Sequence, residues 1–214
     1  MKRRKIELEP DAILPMTRTL WAAALEKVAE AEQGIFVMQN AKNRIEFEAG
    51  WIRFVDSLEE FWTRFFDEGK TKFPDFQPWA GVVEAFRKRD ELLRYVYEAR
   101  HQSQHGQIPL SWEEGRIQIK PSGNPIRSFA IFPDGTFEMD TGTNPTLPDS
   151  TLIHLPGKPQ LPVVFNRKSK LSFAPPSNHA GASMEDISPL GAARIALEYY
   201  RTVFVAAKNK FGGR

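Results

Sequence analysis

The strongest pattern in the chain runs from Arg44 to Glu68. There Phe47, Trp51, Phe54, Val55, Leu58, Phe61, Trp62 and Phe65 recur at steps of three and four, with Asp56, Glu59, Glu60 and Arg64 between them. That period predicts one long amphipathic helix with a wide aromatic stripe. Upstream, Leu20, Trp21, Leu25 and Val28 open a similar pattern that weakens around Gly34 before Ile35, Phe36 and Met38. Gly69 and Phe73-Pro74-Asp75 break the long helix, and Pro78-Trp79 open a short one, because proline fits the first helical turn. Asp90 caps a further helix with Leu93, Val96 and Tyr97 on one broad face; Gly106 and then Pro109 stop it.

Beyond Gly106 the apolar runs shorten while Gly, Pro, Thr and Ser become frequent, so residues from about Ser111 to Phe173 read as strands. Ile117 and Ile119 alternate with polar neighbours, and Phe129 to Phe137 has apolar runs on both sides of Pro133-Asp134-Gly135, the pattern of a hairpin. Leu152 to Leu155, Val163 to Phe165 and Leu171 to Phe173 are further short strands, and Pro175 to Ser183 reads as a loop. Ser188-Pro189 then starts a helix whose Leu190, Ala193, Leu197, Tyr200, Phe204, Ala207 and Phe211 form one stripe, ended by Gly212-Gly213. This stripe needs a partner, and the aromatic helices of the first half supply one. The expectation is one composite α+β unit: residues 1–108 with 186–214 as a helical bundle, and 109–185 as a small antiparallel sheet inserted before the C-terminal helix and packed against it.

Composition narrows the chemistry. A chain of 214 residues without cysteine has no disulfide scaffold, thiol nucleophile, iron–sulfur cluster or Cys-based zinc site. With 41% apolar residues, 16 Phe and 5 Trp it is globular in character, and a net charge of +2 does not by itself argue for a dedicated nucleic-acid binder. Met1-Lys2-Arg3-Arg4-Lys5 is basic, but Glu7, Glu9 and Asp11 follow before any apolar run of signal-peptide length. No stretch is long enough to span a bilayer. The sequence therefore predicts a soluble cytoplasmic protein with no membrane partner.

No glycine-rich phosphate loop, Gly-x-Ser-x-Gly elbow or His-Glu-x-x-His is present. The four histidines are His101, His105, His154 and His179. His101 and His105, four apart on one helical face, could begin a metal site, although position 102 is Gln and the other two are distant in sequence. Alternatively Arg100 and His105 act together, a cation holding a phosphate while an imidazole takes the proton of a ribose 2′-hydroxyl, which cleaves RNA without a metal or any cofactor. In a purely structural reading, His105 caps the helix end and Arg100 pairs with Glu98 or with a carboxylate on another helix. Arg87-Lys88-Arg89 and Arg167-Lys168-Ser169-Lys170 are short basic runs open to phosphate contact or to solvent. Trp51, Phe54, Trp62 and Phe65 follow helical period and read as packing residues rather than base-stacking platforms.

The segment Leu92-Leu93-Arg94-Tyr95-Val96-Tyr97-Glu98-Ala99-Arg100-His101, followed by His105-Gly106, closes a helix opened by Asp90 and follows the aromatic helix. It resembles the HEPN superfamily, whose members carry an Arg and then a His at this place in a helical bundle. The resemblance covers roughly Arg44 to Gly106, with the C-terminal helix as a closing member; the β region lies outside it. It implies a metal-independent RNA-cleaving or RNA-binding protein, of the kind found in toxins and phage defence, that acts as a homodimer with its site in the interface. The family's Arg falls on Arg100 and its His on His105. His101 stands at the following polar position, which is often Asn, and with Tyr97 and Arg94 it completes the set of substrate-binding candidates. On an ideal helix residues five apart point about 140° from one another. A two-fold axis would bring Arg100 of one chain to His105 of the other. The alternatives are a non-catalytic scaffold whose sheet edge recruits a protein partner or antitoxin, and a His-based metal-binding protein.

Overall fold

The computed structural model describes residues 20–104, 110–113, 116–119, 128–131, 137–140, 152–155 and 157–212. Five helices dominate them: α1 Ala22–Asn40, α2 Arg44–Lys72, α3 Phe76–Arg89, α4 Glu91–Ser103 and α5 Pro189–Phe211. The class is α+β, mostly helical with small antiparallel pairings. No helix among the described residues is long and apolar enough to cross a membrane.

α2 is the element on which the others assemble, touching α1, α3, α4 and α5. Its caps follow local chemistry: the Asn43 side chain accepts from the Glu46 amide at 2.9 Å, and Lys70 and Lys72 lie in the last turn, where the helix dipole favours cations. The helix continues past Gly69, against expectation, because the missing side chain is what lets the Phe76 ring of α3 sit on it. A Cβ at Gly69 would lie 2.4 Å from that ring. α3 accordingly starts at Phe76, and Pro78 falls within its first turn.

α1 runs unbroken through Gly34, where the hydrophobic pattern weakens, and the reason is a close helix crossing. A Cβ on Gly34 would meet the Gly50 carbonyl oxygen at 2.8 Å, and one on Gly50 would meet the Gly34 oxygen at the same distance. Ala24 and Ala31 are also fully buried on this face. The helix packs by smallness, which a hydrophobic pattern registers poorly. α4 opens as expected, with the Asp90 carboxylate accepting from the Leu93 amide at 3.0 Å. It runs to Ser103, and the stop expected at Gly106 lies outside the described residues. α5 opens on Ser188, whose hydroxyl accepts from the Gly191 amide at 3.1 Å.

The rings from these helices form one core cluster. Trp21, Phe61, Phe65, Phe76 and Phe211 are essentially inaccessible to solvent. The Trp21 ring lies 5.1 Å from Phe65, Phe65 5.3 Å from Phe76 and Phe76 5.4 Å from Phe211. The Trp21 indole N–H donates to the Phe65 carbonyl at 3.2 Å, so burying the tryptophan strands no donor.

The described strands form five separate two-stranded antiparallel pairs rather than the single inserted sheet expected from the pattern. β1 Ser111–Trp112 pairs with β6 Pro159–Gln160, β2 Arg116–Ile119 with β5 Leu152–Leu155, and β3 Ser128–Ile131 with β4 Phe137–Asp140. The last of these is the expected hairpin; its Pro133-Asp134-Gly135 turn lies outside the described residues. β7 Val164–Asn166 pairs with β8 Leu171–Phe173, and β9 Asn178–His179 with β10 Ala182–Ser183. The β9–β10 pair lies in the segment expected to be a loop. Its polar residues give no strand alternation, and the turn is made instead by Ala180 and Gly181 with φ of 52° and 80°.

The chain divides into two compact units, Met1–Leu110 with Leu161–Arg214, and Ser111–Gln160. Residues 161–185, expected with the insertion, therefore belong to the helical unit, and this places β7–β8 and β9–β10 beside α4.

A charged site along α4

Arg94, Tyr97, Glu98 and His101 fall at helical spacing on one side of α4. Beneath them the middle of α2 and the end of α3 contribute charge to the interior. Arg87 of α3 is buried, and its Nη2 donates to Glu59 Oε2 at 2.7 Å while its Nε donates to the Tyr200 hydroxyl at 2.7 Å. Its guanidinium carbon lies 4.3 Å from the centre of the Trp62 ring, so the cation is stacked as well as hydrogen-bonded. Burial lifts the Glu59 carboxyl above its ordinary range, and the attraction of Arg87, Arg100 and His101 offsets this only in part. Burial likewise raises the Tyr200 hydroxyl, which stays protonated.

Two hollows open on this arrangement. The larger, about 470 Å³, is lined by Glu59, Trp62, Arg87, Leu93, Arg94, Tyr97 and Glu98, with Glu84 and Lys88 completing it. The smaller, about 250 Å³, lies between the last turns of α4 and the β7–β8 hairpin; Tyr97, His101, Gln102, Phe165, Asn166, Arg167 and Lys168 line it. Tyr97 lines both. The hairpin is fixed by Asn166, whose Nδ2 donates to Glu98 Oε2 at 2.6 Å while its Oδ1 accepts from the Lys168 and Ser169 amides at 2.9 Å. This Asx turn presents Arg167 and Lys168 at the end of α4.

The sequence-predicted residues are distributed over this face unequally. Tyr97 and His101 stand together, ring centres 4.5 Å apart and edge to face. Arg94 lines the larger hollow, with its guanidinium 4.4 Å from the Phe173 ring centre. Arg100 lines neither hollow. It turns to α2, where its Nε stands 3.6 Å from Asp56 Oδ1, and these two buried atoms have no hydrogen-bond partner among the described residues. Burial raises the Asp56 carboxyl, with Arg100 acting in the opposite sense. His105 lies outside the described residues.

The other histidines are elsewhere. His154 lies in β5, opposite Ile117 of β2. His179 holds its Nδ1 3.0 Å from Asp90 Oδ1. Asp90 Oδ2 accepts from the Ala180 amide at 2.8 Å, so one carboxylate caps α4 and docks the β9–β10 turn. Among the described residues no group of three or more His, Asp or Glu side chains is gathered to hold a metal ion.

Reading along the sequence misses Glu59 and Arg87 as site residues. Each looks like surface locally, and the partners that explain them are 28 and 113 residues away. The basic run at Arg167 and Lys168 was the visible signal for the hairpin's contribution. Comparison of the chain with protein-family models, with curated proteins and with solved structures gives no match.

Proposed function

We propose that this is a HEPN-type protein that binds RNA and cleaves it without a metal, as a homodimer of the toxin or phage-defence kind. The observation that carries the reading is the smaller hollow, where an aromatic ring, Tyr97, and an imidazole, His101, are lined up with two cations, Arg167 and Lys168. A single-stranded nucleotide offers the complement: a base with a flat face and a phosphate with a full charge. Stacking a base on such a ring contributes about 1–3 kcal/mol. The cations add a salt-dependent attraction to the backbone. In this reading His105 exchanges the proton of the 2′-hydroxyl, and Arg100 stabilises charge on the phosphorus in the transition state. The contact of Arg100 with Asp56 lacks a hydrogen bond, so little holds the guanidinium back from a phosphate.

The test is fluorescence anisotropy with a labelled single-stranded RNA at several salt concentrations, alongside a denaturing gel for cleavage. Arg167→Glu with Lys168→Glu is expected to weaken binding at least about tenfold and to lower the salt dependence by about two counterions. His105→Ala is expected to bind RNA and not cleave it. Binding unchanged by the charge reversal overturns the reading.

A second reading, a non-catalytic interaction module, is favoured by one observation. Val164 of β7 is wholly buried, while its neighbours Val163 and Phe165 are 58% and 44% exposed on the opposite face. Retained partner binding in the Arg100→Ala, His105→Ala double variant supports it.

A further inference from the structure

The larger hollow has a different character from the smaller one, and its unused polar groups identify what fits. Its charged side chains are balanced, Glu59, Glu84 and Glu98 against Arg87, Lys88 and Arg94, so it offers no net attraction to a phosphate. Several of these are already occupied. Lys88 pairs with Glu84 at 2.8 Å, and Arg94 is stacked on Phe173. Arg87 uses Nε on Tyr200 and Nη2 on Glu59. Glu59 and Glu98 each use Oε2, on Arg87 and Asn166. What remains without a hydrogen bond among the described residues is one donor group of Arg87, Nη1, and two carboxylate oxygens, the Oε1 atoms of Glu59 and Glu98.

The ring of Tyr97, 39% exposed, supplies a flat wall. Trp62, 6% exposed and already covered by Arg87, supplies apolar floor. A hollow of this volume takes a heteroaromatic ring system and excludes a folded strand.

We propose that this hollow is a guanine pocket, which receives the base of a nucleotide whose phosphate lies in the smaller hollow on the other side of Tyr97. This rests on the RNA reading above and specifies it. Guanine presents on one edge an acceptor, O6, followed by two donors, N1–H and the N2 amine. Arg87 Nη1 meets the first, Glu59 Oε1 accepts from N1–H, and Glu98 Oε1 accepts from the N2 amine. Uracil would turn its second carbonyl oxygen, and cytosine the lone pair of N3, toward a carboxylate, and adenine offers one amine for two acceptors, so each leaves a charged group unmatched.

The experiment has two arms on the full chain. In the first, guanosine, adenosine, cytidine and uridine are titrated separately by calorimetry; these nucleosides carry no phosphate and read the pocket alone. In the second, anisotropy compares labelled eight-nucleotide RNAs with and without guanine. Guanosine is expected to bind at least about tenfold more tightly than the other three, and Glu59→Gln, whose amide keeps the volume but loses one acceptor, to abolish that preference. If Glu59→Gln melts without cooperativity, Glu98→Gln carries the test with a smaller loss of about threefold.

RNA that binds with no base preference, or nucleosides that bind equally or not at all, overturns the guanine pocket and leaves the RNA reading standing. Guanosine binding without any RNA binding keeps the pocket and overturns the RNA reading.

Discussion

The surface of α2 falls into two halves that are buried in opposite ways, an aromatic stripe that runs from Phe47 to Phe65 and a side that carries Asp56 and Glu59. Along the stripe, at Phe61 and Phe65, the helix meets its neighbours through rings: these two stack at 5.5 Å, and Trp21, Phe76, Phe204 and Phe211 close around them. On the other side the same helix carries Asp56 and Glu59 into contact with Arg100 and Arg87. The aromatic half needs only shape, because every ring removed from water contributes in its own right. The charged half must match each desolvated group with a specific partner, and it does so unevenly. Arg87 has two hydrogen bonds and a ring, whereas Asp56 and Arg100 face one another without a hydrogen bond. A fold that only needed stability would extend the rings, so the charged half marks where local consistency is given up, as happens at functional sites.

The largest effect that separates the halves belongs to the aromatic one. Phe65→Ala opens a cavity among at least five rings and is expected to cost about 3–5 kcal/mol in a chemical denaturation series, without altering RNA binding beyond the loss of folded protein. A cost below about 1 kcal/mol would mean that the ring cluster is not the stabilising centre.

Arg87→Met comes next. It leaves Glu59 as an uncompensated, largely buried carboxylate and removes a partner of Tyr200, for about 3 kcal/mol. Adding Glu59→Gln to it is expected to restore part of the loss, a coupling of at least about 1 kcal/mol in the double-mutant cycle. Additive losses would show that the two side chains do not depend on one another, and the distinction between the halves would fail at its strongest point.

Asp90→Ala sits between the halves in size and mechanism. The Asp90 carboxylate caps α4 through Leu93, binds the Ala180 amide and faces His179. Its loss is expected to cost about 2 kcal/mol, against about 1 kcal/mol for Ser188→Ala, which removes a cap and nothing else. Hydrogen exchange adds a spatial check: protection should fall at both the start of α4 and the β9–β10 turn. Loss confined to α4 would reduce Asp90 to an ordinary cap.

The same contrast explains what the sequence revealed. α2, α4 and α5 are legible because periodic apolar residues, and in α4 and α5 the caps Asp90 and Ser188, are local features. The run of α1 through Gly34 is not, since Gly34 and Gly50 contribute by what they lack, and the requirement appears only when the two backbones meet. The β9–β10 pair is invisible for a related reason: Glu91 and Asp90 hold it from 86 to 90 residues away, by hydrogen bonds to Ser177, Asn178 and Ala180. Of the candidate site, Arg94, Tyr97 and His101 are readable as neighbours on one helix. Glu59 and Arg87 are not, because a charged residue is recognised as interior only through its partner. Arg87 also stands in a basic run that resembles solvated surface.

The smallest effect tests the comparison most finely, through pH. Burial raises the Asp56 carboxyl above its ordinary value of 3.8, with Arg100 opposing and Glu60 adding to the shift. A carboxyl whose pKa is higher folded than unfolded binds its proton more tightly in the folded state. Its contribution to stability is therefore fully present below the unfolded value and is lost as pH rises through the folded one. Asp56→Asn removes that slope. In denaturation curves measured from pH 3.5 to 7, the variant should lose less stability than the parent as pH rises, and at pH 7 it should be at least as stable. Glu59, also raised by burial, contributes a slope of the same sign in both proteins and cancels in the difference. If Asp56→Asn instead loses more stability than the parent as pH rises above 4, the Arg100 contact outweighs burial. Arg100 would then be held as a structural partner of α2, and its assignment to phosphate chemistry would fail with it.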